Sequence, residues 1–222
     1  MKPVETLAKL EALGHPLFET RDLAVLLGVA NSSATRAATR LAQSGAIVKL
    51  ARGKWAVARN VNRLGIPEHL TSPFPAYISL QSALYYHGMI SQIPAVTYAV
   101  SLARIRRYQT PLGAFSIHHV VPEFFFGYET DPLGSSKIAV PEKALVDFFY
   151  FSPTRSRTFA NLPELELPKK FHWRKAFEMV GKIKSRARHR FVSEKLAALQ
   201  KRARALSSDE QAAAWTGLLG GY

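Results

Sequence analysis

The chain has 222 residues, of which 47% are hydrophobic and 21% are charged, as in a folded globular protein. It contains no cysteine, which excludes disulfides, cysteine-ligated metal sites and thiol catalysis. No apolar run approaches the roughly 20 residues of a membrane-spanning helix, and no apolar core follows residues 1–5 as a secretory signal requires. We therefore expect a cytoplasmic protein without a membrane segment.

The formal net charge of +14 is unevenly distributed. Residues 1–60 carry nine Lys and Arg against four Asp and Glu, residues 61–150 carry six of each, and residues 151–222 carry fifteen against six. A neutral middle between two basic ends indicates two separate surfaces for an anionic partner, most simply nucleic acid.

Two short helices are expected first. Apolar side chains at steps of three and four predict an amphipathic helix over residues 3–13, and residues 16–19 link it to the next helix. Thr20 is the predicted cap of this second helix, and Gly28 ends it.

A third helix is predicted from a cap at Asn31 to about Ser44, and Gly45 ends it. Its apolar side would be a stripe of small residues: Ala34, Ala37, Ala38 and Leu41. The residues left facing outwards are Ser32, Ser33, Arg36, Thr39 and Arg40. Two arginines one turn apart, flanked by short hydroxyl side chains, are typical of a helix in a DNA major groove. A merely solvated surface is the alternative for this helix.

A basic hairpin follows this helix. Residues 47–50 and 54–57 read as strands on either side of Ala51-Arg52-Gly53. The predicted DNA-binding cations of this hairpin are Lys49, Arg52 and Lys54, of which Arg52 and Lys54 would contact phosphates. Helix, turn, helix and hairpin in this order predict a winged helix-turn-helix that binds double-stranded DNA.

Residues 59–75 contain three prolines within nine residues, which predicts an irregular linker. We place the domain boundary near residue 70. The expected division is a DNA-binding domain with its linker at 1–70 and a second domain at 71–222.

The second domain reads as a mixture of helices and strands. Its predicted elements are a helix from a cap at Ser79 to His87, strands at 95–102, 115–121 and 137–140, a helix starting at Pro141, a loop at 152–168, and helices at 171–180, 193–206 and 208–219. The expected fold class is α+β: a winged helix-turn-helix followed by a mixed α/β domain with basic helices at the end.

An enzyme is the least favoured class. Glu142, Lys143 and Asp147 could belong to a metal-dependent nuclease, but a helix turns by about 100° per residue, so the two carboxylates would point in different directions. His118 and His119 are neighbours in a predicted strand and face opposite sides. We expect no catalytic residue, metal site or cofactor.

The run KIKSRARHR places Lys182, Lys184, Arg186, Arg188 and Arg190 at every second residue. The surrounding sequence favours helices with a joint at 181–185, so these charges would spread around a helix. A nucleic-acid-facing tail and a solvated surface both fit this pattern.

The chain resembles the AbiEi family of antitoxins and transcriptional regulators. The segments that carry the resemblance are SLQSALYYHGMI-SQIP, GAFSIHHV, FFFG, KIAVPEKALVDFFY and the wing ending in Arg52-Gly53-Lys54-Trp55. The resemblance implies an N-terminal domain that represses its own operon and a C-terminal domain with antitoxin activity in phage defence. It also implies a nucleotidyltransferase-like toxin that is opposed without a stable complex.

Two other functions remain open. One is a stand-alone winged-helix regulator whose C-terminal domain senses a ligand or forms a dimer. The other is a metal-dependent nuclease that uses Glu142 and Asp147. The identity of the neighbouring gene would separate the first from an antitoxin, and metal-dependent DNA cleavage would reveal the second.

Overall fold

The computed structural model describes residues 3–12, 14–59, 61–131, 136–152 and 165–219, with side chains between residues 4 and 205 of those ranges. As predicted, a winged helix precedes a larger α/β part that ends in helices. The N-terminal elements are α1 (Pro3–Ala12), β1 (Leu17–Glu19), α2 (Thr20–Leu27), α3 (Asn31–Gln43), β2 (Ile47–Ala51) and β3 (Lys54–Val57).

Helix α3 packs on its neighbours through small side chains. Ala34 and Ala38 are 0% exposed and Leu41 is 2% exposed, so the predicted stripe is the buried side of the helix. Because an alanine side chain is a single methyl group, α3 can approach α1 and α2 closely. Gly28 and Gly45 end α2 and α3 in the left-handed conformation, with φ of 63° and 75°, as the sequence predicts.

The predicted caps of α2 and α3 are each displaced by one residue, whereas the predicted cap Ser79 is the N-cap of the helix Leu80–Tyr86. Helix α2 begins at Thr20 with Glu19 as its N-cap, and α3 begins at Asn31 itself. Asp22 Oδ2 accepts a hydrogen bond from the backbone N–H of Glu19 at 2.7 Å, which fixes the start of α2. Thr20 Oγ1 instead accepts a hydrogen bond from Trp55 Nε1 at 2.9 Å and so joins α2 to the wing.

A six-stranded mixed sheet forms the centre of the remaining chain. Its elements in chain order are a 3₁₀ turn (Arg63–Gly65), α4 (Ile66–Thr71), β4 (Ala76–Ile78), α5 (Leu80–Tyr86), β5 (Val96–Ser101), β6 (Arg106–Thr110), β7 (Gly113–His119), a 3₁₀ turn (Pro122–Phe124), β8 (Tyr128–Thr130), β9 (Lys137–Ala139), α6 (Pro141–Phe151), α7 (Trp173–Val180) and α8 (Arg186–Leu219). The strand order is β6-β7-β5-β4-β9-β8, with β5 parallel to β7 and β4 parallel to β9.

The sequence predicts three strands of this sheet, β5, β7 and β9, and misses the others. Strands β4, β8 and β9 have three residues each, too few for a periodic pattern, and of these the sequence predicts only β9. Strand β6 has the sequence RRYQT and lies at the edge of the sheet, where charged side chains are common and hide the strand pattern.

The sheet is covered on both faces. Tyr77 and His118 point to the face that α6 covers: the Tyr77 hydroxyl donates to Asp147 Oδ2 at 3.0 Å, and the ring centroids of His118 and Phe151 are 5.1 Å apart. Phe115 lies on β7 an odd number of residues from His118 and therefore points to the opposite face. There it packs with residues of the wing and α4.

The segment predicted to be a linker is folded where the structure describes it. Ile66 and Leu70 of α4 are 0% and 4% exposed, and Pro67 lies in the first turn, where a missing N–H costs no hydrogen bond. We call the apolar group that they join the shared cluster: Leu50, Ala56, Ile66, Leu70 and Phe115. The prediction of an irregular linker is wrong because the buried apolar residues, rather than the prolines, decide the local structure. The domain division at residue 70 stays a prediction.

The last two helices are separated by residues 181–185, which confirms the predicted joint. Helix α8 then continues to Leu219, whereas the sequence predicts a break near Ser207. No glycine or proline occurs between residues 186 and 216, so nothing in the backbone chemistry forces an interruption. The predicted loop at 152–168 lies largely outside the described residues. No helix in the described ranges is long and apolar enough to cross a membrane.

A charged pair lies in the centre of the C-terminal part. Lys143 and Asp147 are both 0% exposed, and Lys143 Nζ donates a hydrogen bond to Asp147 Oδ1. Asp147 Oδ2 accepts hydrogen bonds from Ser79 Oγ at 2.7 Å and from the Tyr77 hydroxyl at 3.0 Å. Burial lowers the pKa of Lys143, and the charge of Asp147 opposes this change. The carboxylate thereby ties α6 to β4 and to the start of α5.

Replacing Asp147 by alanine should destabilise the fold strongly. The change leaves the Lys143 ammonium buried without its carboxylate, which costs about 3–5 kcal/mol in comparable cases. The double variant Lys143→Met/Asp147→Leu removes both charges and should recover part of the loss. Urea unfolding of the three proteins measures both effects, and an Asp147→Ala variant as stable as the wild type would contradict this role of the pair.

Candidate nucleic-acid interface

The outward side of α3 carries the residues predicted to contact DNA. Ser32, Arg36, Thr39 and Arg40 are exposed, and Ser33 is half-buried. These positions follow from the helical period, since Ala34 and Ala38, which lie between them in the sequence, are on the buried side of α3. The structure therefore brings all five residues to one continuous helix surface.

An open cleft of about 530 Å³ separates α3 from the wing. The side chains that line its two walls include Asn31, Thr35 and Thr39 from α3 and Lys49, Arg52 and Trp55 from the wing. Lys49 and Arg52 are exposed, and Lys49 Nζ lies 5.9 Å from the centroid of the Trp55 ring. A groove with hydroxyl and amide groups on one wall and cations on the other suits a sugar–phosphate backbone beside base edges.

The two arginines of α3 lie on its other flank. Arg36 and Arg40 line a second hollow of about 320 Å³ between α3, α1 and the end of α2. Arg36 Nη2 donates a hydrogen bond to Ser33 Oγ at 3.3 Å. The outward side of α3 thus changes from guanidinium groups on this flank to hydroxyl groups beside the wing.

Sequence reasoning missed three residues of this surface. The sequence predicts Asn31 only as a helix cap and gives no prediction for Thr35. Both residues line the cleft beside the wing. The exposed Gln43 lies seven residues after Arg36, two helical turns along the same side. The 3.6-residue period that placed Arg36 could also have placed Gln43.

Lys54 does not belong with the other predicted cations. Its side chain is 14% exposed, and Nζ donates hydrogen bonds to Glu19 Oε1 at 2.9 Å and to the backbone oxygen of His69 at 2.7 Å. The structure corrects the sequence prediction here, because Lys54 connects the wing to α2 and α4 inside the protein. Only Lys49 and Arg52 remain as exposed cations of the hairpin.

The partners of Lys54 form a polar group where the wing meets α4. Hydrogen bonding from Lys54 lowers the pKa of Glu19, and a further hydrogen bond from Ser72 Oγ at 3.2 Å acts in the same direction. Burial lowers the pKa of His69, and the charge of Lys54 adds to this effect. Glu19 therefore stays ionised and His69 neutral around pH 7, which keeps this contact intact.

The predicted basic tail is partly engaged with the protein itself. Lys182 Nζ lies 4.1 Å from the Phe126 ring centroid, and the Arg188 guanidinium lies 4.5 Å from that of Tyr150. Lys184 Nζ pairs with a carboxylate oxygen of Glu123 at 2.6 Å. These three cations contact other parts of the chain.

Two cations of the predicted tail face solvent on α8. Arg186 and Arg190 are exposed, and Arg190 Nε pairs with Glu194 Oε1 on the next turn at 2.8 Å. An exposed pair of this kind contributes little stability, so it leaves the arginine available to other anions.

The groups considered for catalysis lie apart. Glu142 Oε1 accepts a hydrogen bond from the backbone N–H of His172 at 2.8 Å, whereas Asp147 is bonded to Lys143. Among the described residues, no group of three or more acidic or histidine side chains could hold a metal ion.

A serine–histidine pair occurs in the sheet. Ser116 Oγ lies 3.2 Å from His118 Nε2, but Ser116 is only 3% exposed. Burial, and to a smaller extent the charge of Arg107, lower the pKa of His118 to about 4. The imidazole is therefore neutral at pH 7, yet the buried hydroxyl gives a substrate no access.

The N-terminal geometry agrees with a comparison against known families. Residues 5–58 match the family of transcriptional regulators described as AbiEi antitoxin. The match covers α2, α3, the wing and nearly all of α1, so the resemblance inferred from the sequence is confirmed for the winged helix. No curated protein matches the chain. The AbiEi match supports a transcriptional regulator of the antitoxin type.

Replacing Lys49 and Arg52 by glutamine should weaken binding to all DNA sequences alike. The slope of log affinity against log salt should fall by roughly 0.9 for each phosphate that the variant no longer neutralises. Lys54→Gln is the matched control in the same hairpin: it should lower the free energy of unfolding and leave the slope unchanged. Fluorescence anisotropy at several salt concentrations measures the slope, and equal slopes for the wild type and the Lys49/Arg52 variant would exclude the wing from the interface.

Proposed function

We propose that the protein is a DNA-binding transcriptional repressor and antitoxin of a bipartite, abortive-infection-type operon. The observation that carries the DNA-binding part is the cleft between α3 and the wing, with exposed Lys49 and Arg52 on one wall and the polar side of α3 on the other. The AbiEi match over residues 5–58 supports the regulator and antitoxin class.

Base recognition is assigned to α3 and phosphate binding to the wing. Arg36 and Arg40 lie one turn apart and are long enough to reach base edges or the backbone on their side of the helix. Thr35 and Thr39 donate their hydroxyl hydrogens to backbone oxygens one turn earlier, at 2.8 Å and 2.9 Å, so their oxygens remain available as acceptors. The target would be the protein's own promoter.

The antitoxin part of the proposal rests on the family resemblance. It names a nucleotidyltransferase-like toxin, opposed without a stable complex, in the cytoplasm where the operon is transcribed. The C-terminal part acts here as a binding or regulatory module rather than as an enzyme. The separation of Glu142 from Asp147 supports this choice over a nuclease.

A second candidate is a stand-alone regulator whose C-terminal part senses a ligand. The shared cluster favours it, because Leu50 and Ala56 of the wing pack directly with Phe115 of the central sheet. A change in that sheet would therefore reach the wing. A neighbouring toxin gene would favour the antitoxin, and ligand-dependent operator release without any toxin would favour the sensor.

The double variant Arg36→Ala/Arg40→Ala should lose operator recognition and keep its fold. Each arginine that reads guanine with two hydrogen bonds contributes about 1–3 kcal/mol of discrimination. Both side chains are exposed, so the thermal melt should change little. Footprinting on the protein's own promoter is the measurement, and a normal footprint would refute the assignment.

The same variant separates repression from antitoxin activity. If the neighbouring toxin is expressed from an unrelated promoter, its synthesis no longer depends on the repressor. Arg36→Ala/Arg40→Ala should then protect cells as well as the wild type does, measured by growth. Loss of protection would mean that both activities need the same α3 surface, contrary to the two-function proposal.

A further inference from the structure

Helix α8 carries a stripe of cations that the proposed operator-reading surface does not include. Arg186, Arg190, Lys201 and Arg204 are exposed. Since an α-helix turns by about 100° per residue, these four lie within about 60° of one another around the helix axis. Val192 and Leu196, which are 0% exposed, point to a different side. We call these four cationic residues the α8 stripe.

The other residues on this side of α8 would not repel an anion by their own charge. Ser193 and Ala197 lie between the cations of the α8 stripe and carry small, uncharged side chains. Glu194 borders it and is paired with Arg190. At a rise of about 1.5 Å per residue, the stripe is roughly 27 Å long. That length corresponds to about eight base pairs of a duplex, at 3.4 Å of axis per base pair.

The α8 stripe and the cleft lie on opposite sides of the central sheet. Val192 and Leu196 of α8 belong to the apolar core around α6, which covers the sheet face that carries Tyr77 and His118. The wing packs on the other face, against Phe115. One sheet and one helical layer therefore separate the two surfaces, a distance on the order of 20 Å.

One straight duplex cannot occupy both surfaces. DNA has a persistence length of about 50 nm, so a duplex bound along α3 cannot turn back within a few base pairs to reach the far side of the sheet. An anion on the α8 stripe must therefore be a separate molecule or a distant part of the same one.

We infer that the α8 stripe binds the phosphate backbone of a second segment of duplex DNA, so that one molecule bridges two segments. The choice of DNA rests on the proposed function, since the winged helix brings the protein to this polyanion. Cations on long side chains, spread over roughly 27 Å along one helix, fit phosphate contacts that do not depend on sequence.

A bridging assay tests this inference on the full-length protein. Beads carrying the protein's own promoter fragment are loaded with protein and washed, and a fluorescent duplex of unrelated sequence is added. The wild type should capture the second duplex. Arg186→Gln/Arg190→Gln/Lys201→Gln should retain the promoter footprint, fail to capture the second duplex, and lower the salt slope for the unrelated duplex by up to roughly 2.7, about 0.9 for each phosphate.

The matched control is Arg104→Gln/Arg106→Gln/Arg107→Gln. It removes the same charge from exposed residues at strand β6, and it should keep the capture. Equal loss in both variants would show an effect of net charge alone and overturn the inference. Capture retained by the α8 variant would also overturn it, because bridging would then occur through α3 of a second copy.

Two further arms separate this inference from the proposed function. A wild type that does not bind the promoter fragment contradicts the proposed function. The α8 stripe is then tested by titrating the unrelated duplex into Arg36→Ala/Arg40→Ala/Lys49→Gln/Arg52→Gln, which lacks the cations of α3 and of the wing and should still bind it. Combining these changes with the α8 changes should abolish binding. An RNA duplex that displaces the captured DNA at lower concentration than unlabelled DNA would overturn the assignment to DNA.

Discussion

Strand β3 of the wing is buried on both of its faces, and the positions of the N-terminal helices and of the central sheet depend on this. Along β3, Trp55 and Val57 pack with the helices, while Ala56 between them packs in the shared cluster. Successive side chains of a strand point to opposite faces, so a shift of one residue would place the indole where a methyl group now fits. Two separate apolar cores therefore fix the same strand register.

Polar contacts at the edge of the wing reinforce this arrangement. Glu19 is the N-cap of α2, the partner of Lys54 and the acceptor for Ser72 Oγ, so one carboxylate joins the start of α2, the wing and the segment after α4. Lys54 adds a hydrogen bond to the backbone of His69. Because α3 packs on α2, the orientation of the proposed reading helix is coupled to the C-terminal part. If the N-terminal and C-terminal parts act separately, as the proposed function requires, both still depend on these contacts for their structure.

The sequence predicts the structure correctly where the deciding residues are neighbours in the chain. The small apolar residues of α3 repeat with the helical period, and Gly28 and Gly45 stop helices by a property of their own backbones. The sequence does not predict the role of a residue whose ion-pair partner is distant in the chain. The sequence predicts Lys54 as a DNA-binding cation, but in the fold it is paired with Glu19, 35 residues earlier. Lys184 is likewise paired with Glu123, 61 residues earlier. The sequence does not predict strand β6, because exposed arginines are common at the edge of a sheet and do not give the apolar alternation by which a strand is recognised.

Pairing within the fold limits how far the carboxylates in the neutral middle of the chain offset the basic ends. Three of the six are engaged inside the C-terminal part: Asp147 with Lys143, Glu68 with Lys137, and Glu142 with the backbone before α7. An acid that is paired or buried contributes little field at a distant surface, whereas exposed cations attract anions beside them, less strongly for Arg190, which pairs with Glu194. The cations beside α3 and along α8 therefore keep their attraction for anions, and the fold places them on two surfaces that one rigid duplex cannot cover.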